Sequence, residues 1–167
     1  MINLSLKKEL VPFDPFLKIG KEWALLGVAA DGVQNAMTVS WGECGVLWNK
    51  NVFTAFVRPE RYTHSLLEKT DIITLSFFGK ENRDILTYFG RTSGRDEDKI
   101  LKSGLDVSVV DGALVFHSAE LVLVGRVIYK NELTPESFVD KDFLKHYDKD
   151  GFHTAYTCQI VGVYEKD

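Results

Sequence analysis

Two Asp-Gly pairs, Asp31-Gly32 and Asp111-Gly112, each sit between short apolar runs, and they constrain the fold more than any other feature. Aspartate followed by glycine suits a two-residue hairpin loop, since both residues tolerate positive φ. Residues 23–30 read as a buried strand before the first pair, which sets residues 35–41 antiparallel to it. Residues 107–110 and 113–116 flank the second pair as another hairpin. Further strands are predicted over residues 52–57, 72–78 and 154–165, and one over residues 120–129. Within it, Leu121-Val122-Leu123-Val124 points to burial on both faces.

Short helices are predicted over residues 63–70, 82–90, 95–103 and 140–147. Ser65-Leu66-Leu67-Glu68 has capping-box spacing, and Thr63 is an equally good N-cap. Ile85, Leu86 and Phe89 share one helical face, with Gly90 as a stop. In the helix after it, Ile100 and Leu101 are expected to point inward. Residues 42–51 read as a connection in which Gly42 and Gly45 allow positive φ, and Pro12 and Pro15 bracket a turn in the lead-in. Six or more strands with three or four short helices favour a mainly β fold, a closed antiparallel barrel with helices packed outside. At 167 residues, with no repeat or linker, residues 1–167 are expected to form one domain.

Lys and Arg number 20 against 24 Asp and Glu, a net charge of −4, which gives no electrostatic footprint for nucleic acid. No apolar run approaches the roughly 20 residues that cross a bilayer. Residues 1–10 carry Lys7 and Lys8 but no long apolar core, and Cys44 and Cys158 stand far apart. A cytoplasmic protein with two reduced thiols is the expectation. His64, His117, His146 and His153 show no metal-ligand spacing. Neither a Gly-x-Ser-x-Gly elbow nor a Gly-x-Gly-x-x-Gly turn before a helix occurs, so no site class of nucleophile or Rossmann type is indicated.

Candidate binding chemistry gathers between residues 35 and 63. Arg58 and Arg61 frame Pro59 just before a helix start, and guanidinium forks match phosphate oxygens. The same spacing suits two solvated loop charges, one paired with Glu60. Ser93-Gly94-Arg95-Asp96-Glu97-Asp98-Lys99 is a second phosphate candidate, or else a capped helix with Lys99 paired to Asp96 or Asp98. Along the strand, Ala36, Thr38 and Ser40 face one side, and Asn35, Met37, Val39 and Trp41 the other. Hydroxyls on one face suit the polar edge of a flat ring, but equally a water-facing strand. Trp41 and Trp48 suit a ring cover or the core, and Cys44 a spectator thiol.

The motifs together resemble the flavin reductase-like family of FMN-binding split barrels, most closely its flavoredoxin-like branch. They are Asn-x-Met-Thr-x-Ser-Trp at 35–41, Gly-Val-Leu-Trp at 45–48, Val-Arg-Pro-x-Arg-Tyr-Thr at 57–63 and Ser-Gly-Arg-Asp-x-Asp-Lys at 93–99. A weaker echo is Asp-Gly-Phe-His at 150–153, and Gly125 departs from the cysteine expected in many relatives.

The resemblance implies FMN, with Arg58, Arg61 and Thr63 at its phosphate beside Ser93, Gly94 and Lys99. Arg95 is set aside for a salt bridge. Tyr62 and Asn35 fall in the same motifs. The ring is implied to lie against Met37, Thr38, Val39, Ser40 and Trp41, with the Cys44-Gly45 turn on its far side. His153 is implied to lie near the flavin opening as a substrate contact, against the plainer reading of a surface histidine. No catalytic residue is assigned. The implied activity passes electrons from NADH, NADPH or a protein donor through FMN to a flavin, ferric complex or protein acceptor. The implied assembly is a homodimer, with no nucleic-acid or membrane partner. A non-catalytic module that stores, senses or delivers FMN is the rival, and a haem or pyridoxal-type split barrel a third reading.

Overall fold

The computed structural model describes residues 4–166 apart from Lys8, Val11, Asp148 and Asp150. The first residue of the Asp-Gly-Phe-His echo, Asp150, thus lies outside the described residues. Strand β1 (Leu4–Lys7) is followed by α1 (Pro15–Leu17), then β2 (Ala24–Ala30) and β3 (Val33–Val39). Next come β4 (Gly42–Leu47), β5 (Lys50–Val57), α2 (Tyr62–Leu67), β6 (Ile72–Phe77) and α3 (Arg83–Arg91). Then follow α4 (Lys99–Ser103), β7 (Val107–Val110), β8 (Ala113–Phe116), β9 (Leu121–Glu132) and β10 (Thr154–Lys166).

The expected mainly β, antiparallel split barrel is what the chain forms. Hydrogen-bonded neighbours run β3-β2-β6-β9-β10-β5-β4, with β1 paired to β10, and β7-β8 form a separate ribbon. Because β3 and β4 end this order without pairing to each other, the barrel is not closed by hydrogen bonds there. Only Ser40 and Trp41 link the two strands across that seam.

Both Asp-Gly hairpins are present: Ala30 pairs with Val33 and Val110 with Ala113, and all four turn residues have positive φ. The segment 42–51 corrects the expectation. It is a third hairpin, whose turn is Trp48-Asn49 at φ 49° and 57°, and neither Gly42 nor Gly45 has positive φ. Gly42 is small for another reason, since a Cβ there would meet the Thr54 carbonyl at 3.0 Å.

Alternation along the strands builds two cores. Leu26, Met37, Phe53, Ile73, Leu75, Leu123 and Tyr156 point into the barrel. Leu25, Ala36, Val122, Leu114 and Phe116 pack outside it, where α3 adds Leu86 and Phe89. The Leu121–Val124 stretch serves both cores in alternation, which explains its unbroken apolar run. Gly125 follows directly. A Cβ there would lie 2.4 Å from Phe53 Cζ and 2.7 Å from Cys158 Cβ, so the Phe53 ring fills the volume a side chain would need.

Two helices, α2 and α4, are shorter than predicted, whereas α3 keeps nine residues and runs through Gly90 to Arg91. Residues 95–98 form a turn rather than helix, because Asp98 accepts from the Leu101 amide and starts α4 there. Ile100 is buried, whereas Leu101 is exposed rather than inward-facing. Arg61, not Thr63, occupies the N-cap position of α2, and Ser65 lies inside that helix, donating to the Tyr62 carbonyl. The final strand, at 13 residues, is longer than β9 at 12. Segment 141–147 is a 3-10 helix.

Candidate functional site

Cavities line β3 and the two residues of the seam that follow it. The first, about 180 Å³, is lined by Asn35, Arg61, Tyr62, Thr63, Ser93, Gly94 and Lys99 together with Glu60 and residues 90–92. Three separate segments, β3, the turn into α2 and the 93–99 turn, thus bring seven expected site residues to one place.

Packing fixes their geometry. Gly94 is required here, since a Cβ would sit 2.4 Å from Asn35 Oδ1 and 2.8 Å from Tyr62 Cδ1. Arg95 secures that turn, donating to the Glu60 carbonyl at 2.9 Å with its guanidinium 5.2 Å from the Tyr62 ring centre. It makes this main-chain bond in place of the expected salt bridge. Asn35 is buried and donates through Nδ2 to Thr63 Oγ1 at 3.0 Å. With a lone pair so occupied, the Thr63 hydroxyl is left to donate its own proton.

Lys99 is the decisive group. It is 3% exposed, and its Nζ donates to the Phe89 carbonyl at 3.0 Å. Burial first, and the charge of Arg61 second, push its ammonium down to about 8. Burial also lowers Arg61, against a smaller opposing effect of Glu60. Neither cation has an ion pair with a described residue. Lys99 is not held by Asp96 or Asp98, and Asp98 is occupied as a helix cap. A buried and a half-buried cation, neither ion-paired with a described carboxylate, beside a hydroxyl poised to donate, make a receptor for an anion with several oxygens.

The second cavity, about 190 Å³, shares Arg61 with the first and is lined by Met37, Thr38, Val39, Ser40, Trp41, Phe56, Arg58 and His153. Met37 and Val39 point into the barrel core, so what they offer here is largely main chain. Thr38 differs from the expectation of a free hydroxyl facing a ring: it donates to the Leu86 carbonyl and ties β3 to α3. Only its acceptor capacity remains.

Arg58 also departs from the phosphate reading. It does not line the cavity of Arg61 and Lys99; its guanidinium donates to the carbonyls of His146 at 2.8 Å and Gly151 at 3.1 Å. The same group lies 5.0 Å from the Tyr147 ring centre. Arg58 therefore ties the main chain at His146 and Gly151 to a side chain that lines the second cavity.

His153, two residues beyond Gly151, is buried rather than on the surface. Its Nδ1 and the Tyr147 hydroxyl share a 2.8 Å hydrogen bond, and its ring lies 5.5 Å from Trp41. Burial, reinforced by Arg58, pushes its pKa down to about 4, so the imidazole is neutral at physiological pH.

A third cavity, about 580 Å³, adjoins through Ser40, Trp41 and Phe56 and holds Cys44 with Phe16 and Ile19. Burial raises the Cys44 thiol to about 11, which leaves it protonated and unreactive. Gly45 lines none of these cavities, because β4 is a strand there and not a closing turn. Trp48 is neither core nor cover; it is exposed at a hairpin tip, 6.1 Å from Tyr129. Phe56 and Phe16 were not singled out in the sequence. Asp14-Pro15, a helix start whose aspartate accepts from the Phe16 and Leu17 amides, was the signal available for Phe16.

A family model described as "Flavin reductase like domain" matches residues 18–167. Solved structures share the fold. A flavoredoxin from Methanosarcina acetivorans is 19% identical, with TM-score 0.70, over 87% of this chain and 69% of that one. An FMN-binding protein from Thermus thermophilus, solved with p-hydroxybenzaldehyde bound, is 20% identical with TM-score 0.68 over 96% and 80%. A flavoredoxin of Desulfovibrio vulgaris (Miyazaki F) is 18% identical with TM-score 0.67 over 87% and 69%. Comparison with curated proteins finds no match.

Proposed function

The chain belongs to the flavin reductase like domain family, and from that premise we propose that it is an FMN-dependent oxidoreductase of the flavoredoxin type. The observation that carries this reading is the Arg61–Lys99 cation pair, neither member ion-paired with a described carboxylate, lined up along β3 with the second cavity. A phosphate monoester is close to dianionic at neutral pH and would restore the missing counter-charge. The residues present therefore fit the cofactor.

In this reading Arg61, Lys99, Thr63 and Ser93 hold the phosphate, and Gly94 admits it. The main chain of residues 37–41 and the Ser40 hydroxyl border the ring. Bound FMN would supply the hydride and electron transfer. The protein's part is to bind, orient and shield. Trp41 and Phe56 wall the second cavity, and neutral His153 adds no charge there. Electrons come from NADH, NADPH or a reduced protein and leave to a flavin, a ferric complex or a protein.

The working unit in this proposal is a homodimer. The unpaired β4 edge exposes Val46 and Trp48, an apolar margin that soluble proteins usually cover. Among the described residues no helix is long and apolar enough to cross a membrane.

Titration of the purified protein with FMN, followed by steady-state oxidation of NADH and NADPH, tests the reading. Saturable uptake of FMN with turnover is expected. Uptake without turnover by either nicotinamide or a reduced protein donor would leave a storage or delivery module, and no uptake would remove the flavin reading.

A further inference from the structure

His153 lines the second cavity, whereas its hydrogen-bond partner Tyr147 does not. Their rings stand edge to face at 85°, with centroids 5.4 Å apart. Tyr147 is held in turn by contacts of its own. It stacks on Phe152 at 4.6 Å and 15°, meets Phe138 edge to face at 5.8 Å, and has the Arg58 guanidinium over its ring. Trp41 and Phe56, at 5.5 and 6.4 Å, add two more aromatic neighbours to the imidazole. Nδ1 has one partner there, and Nε2 makes no hydrogen bond with a described residue.

The 2.8 Å bond fits two arrangements: the phenol donates to a bare Nδ1, or Nδ1–H donates to the phenol oxygen. The first is favoured on two counts. A bare imidazole nitrogen is basic enough to take up a proton near neutrality, which a phenol oxygen is not, and it is the better acceptor. The second arrangement would also leave the phenol proton without a partner among the described residues. Burial raises the phenol and lowers the imidazolium, so both groups are neutral at pH 7. A neutral imidazole with a bare Nδ1 carries its one proton on Nε2. We propose that Tyr147 is a positioning residue: its hydroxyl fixes His153 in the tautomer protonated at Nε2, which gives the second cavity a neutral N–H donor for a carbonyl or imine acceptor of the flavin ring. The opposite tautomer would turn a lone pair toward the same acceptor and repel it. The donor's partner rests on the assignment of this cavity to the ring; the tautomer does not.

Nitrogen-15 spectra of the full chain with labelled histidine read the tautomer directly, with His153→Gln assigning the signals by their loss. In the flavin-free protein Nε2 is expected to be protonated and Nδ1 bare from pH 8 down to about pH 5; a protonated Nδ1 overturns the proposal. Tyr147→Phe keeps the stacked ring and removes the hydroxyl. A hydrogen bond donated to the neutral imidazole holds its pKa down, so the His153 midpoint is expected to rise by about one pH unit in that variant. The charged or titratable groups facing His153 are Arg58 and Tyr147 itself, with His146 beyond Trp41, and none but Tyr147 is altered. An unchanged or lowered midpoint overturns the role of Tyr147. Should that variant fold poorly, the tautomer of the unmodified protein still decides. Addition of FMN is expected to shift Nε2 and its proton more than Nδ1. Bound FMN with an unmoved Nε2 overturns the donor role alone, whereas failure of FMN to bind overturns the flavin assignment and leaves the tautomer result standing.

Discussion

Replacing Lys99 by methionine should stabilise the cofactor-free protein while weakening its hold on FMN. Methionine keeps an unbranched chain of similar length and removes the charge. Burial lowers the ammonium from 10.5 to about 8, which at about 1.4 kcal/mol per unit corresponds to roughly 3 kcal/mol of destabilisation at neutral pH. The sign follows from linkage. The folded chain binds its proton less tightly than the unfolded chain, so the cost is full below pH 8 and is relieved as pH rises from about 8 to 10.5. Against this stands the lost bond to the Phe89 carbonyl, worth about 1–3 kcal/mol when a buried acceptor is left unpaired. A net gain of about 1 kcal/mol is expected, or about 2–4 °C in Tm for a chain of this size. FMN affinity should fall about 10- to 100-fold, since a hydrogen bond to a charged group contributes about 1.5–3 kcal/mol. Thermal unfolding of both proteins from pH 7 to 10, with FMN and riboflavin titrations, provides the assay. A variant that is less stable at pH 7 and binds FMN undiminished would refute the reasoning and make Lys99 a structural tether to α3.

Other predictions follow from the same geometry. In the wild type, FMN affinity should fall as pH rises above about 8, approaching tenfold per unit while bound Lys99 stays protonated; an affinity constant from pH 7 to 9.5 contradicts this. Gly125→Ala should destabilise by about 1–3 kcal/mol through overpacking against Phe53, and Phe53→Leu in the same chain should recover part of that loss in a urea melt. Arg58→Ala should free the main chain at His146 and Gly151 to proteolysis and faster amide exchange without the loss of phosphate selectivity that Arg61→Ala produces; equal loss of selectivity in both would return Arg58 to the phosphate.

The parts of the fold legible in the sequence were those written in local chemistry. Asp31-Gly32 and Asp111-Gly112 specify their turns within four residues, and Leu121–Val124 shows its double burial as an unbroken run. The Trp48-Asn49 turn was hidden because tryptophan seldom adopts positive φ, so glycines at 42 and 45 drew the attention instead. Arg58 and Arg61 are indistinguishable by spacing. What separates them is the pair of carbonyls at His146 and Gly151, 88 and 93 residues away in sequence. Lys99 shows the same limit: its motif marks it as a candidate, but burial against Phe89 and the lack of an ion pair among the described residues exist only in three dimensions. Thr38 was misjudged for a related reason, since the Leu86 carbonyl that takes its proton lies on α3.

The central claim is that Arg61 and Lys99 form a receptor for a flavin's phosphate. The most direct measurement compares the dissociation constants of FMN and riboflavin for the unmodified protein at pH 7 and moderate salt. Two charge-assisted contacts at about 1.5 kcal/mol each predict FMN binding tighter by about two orders of magnitude. Equal affinities for the two flavins would contradict it.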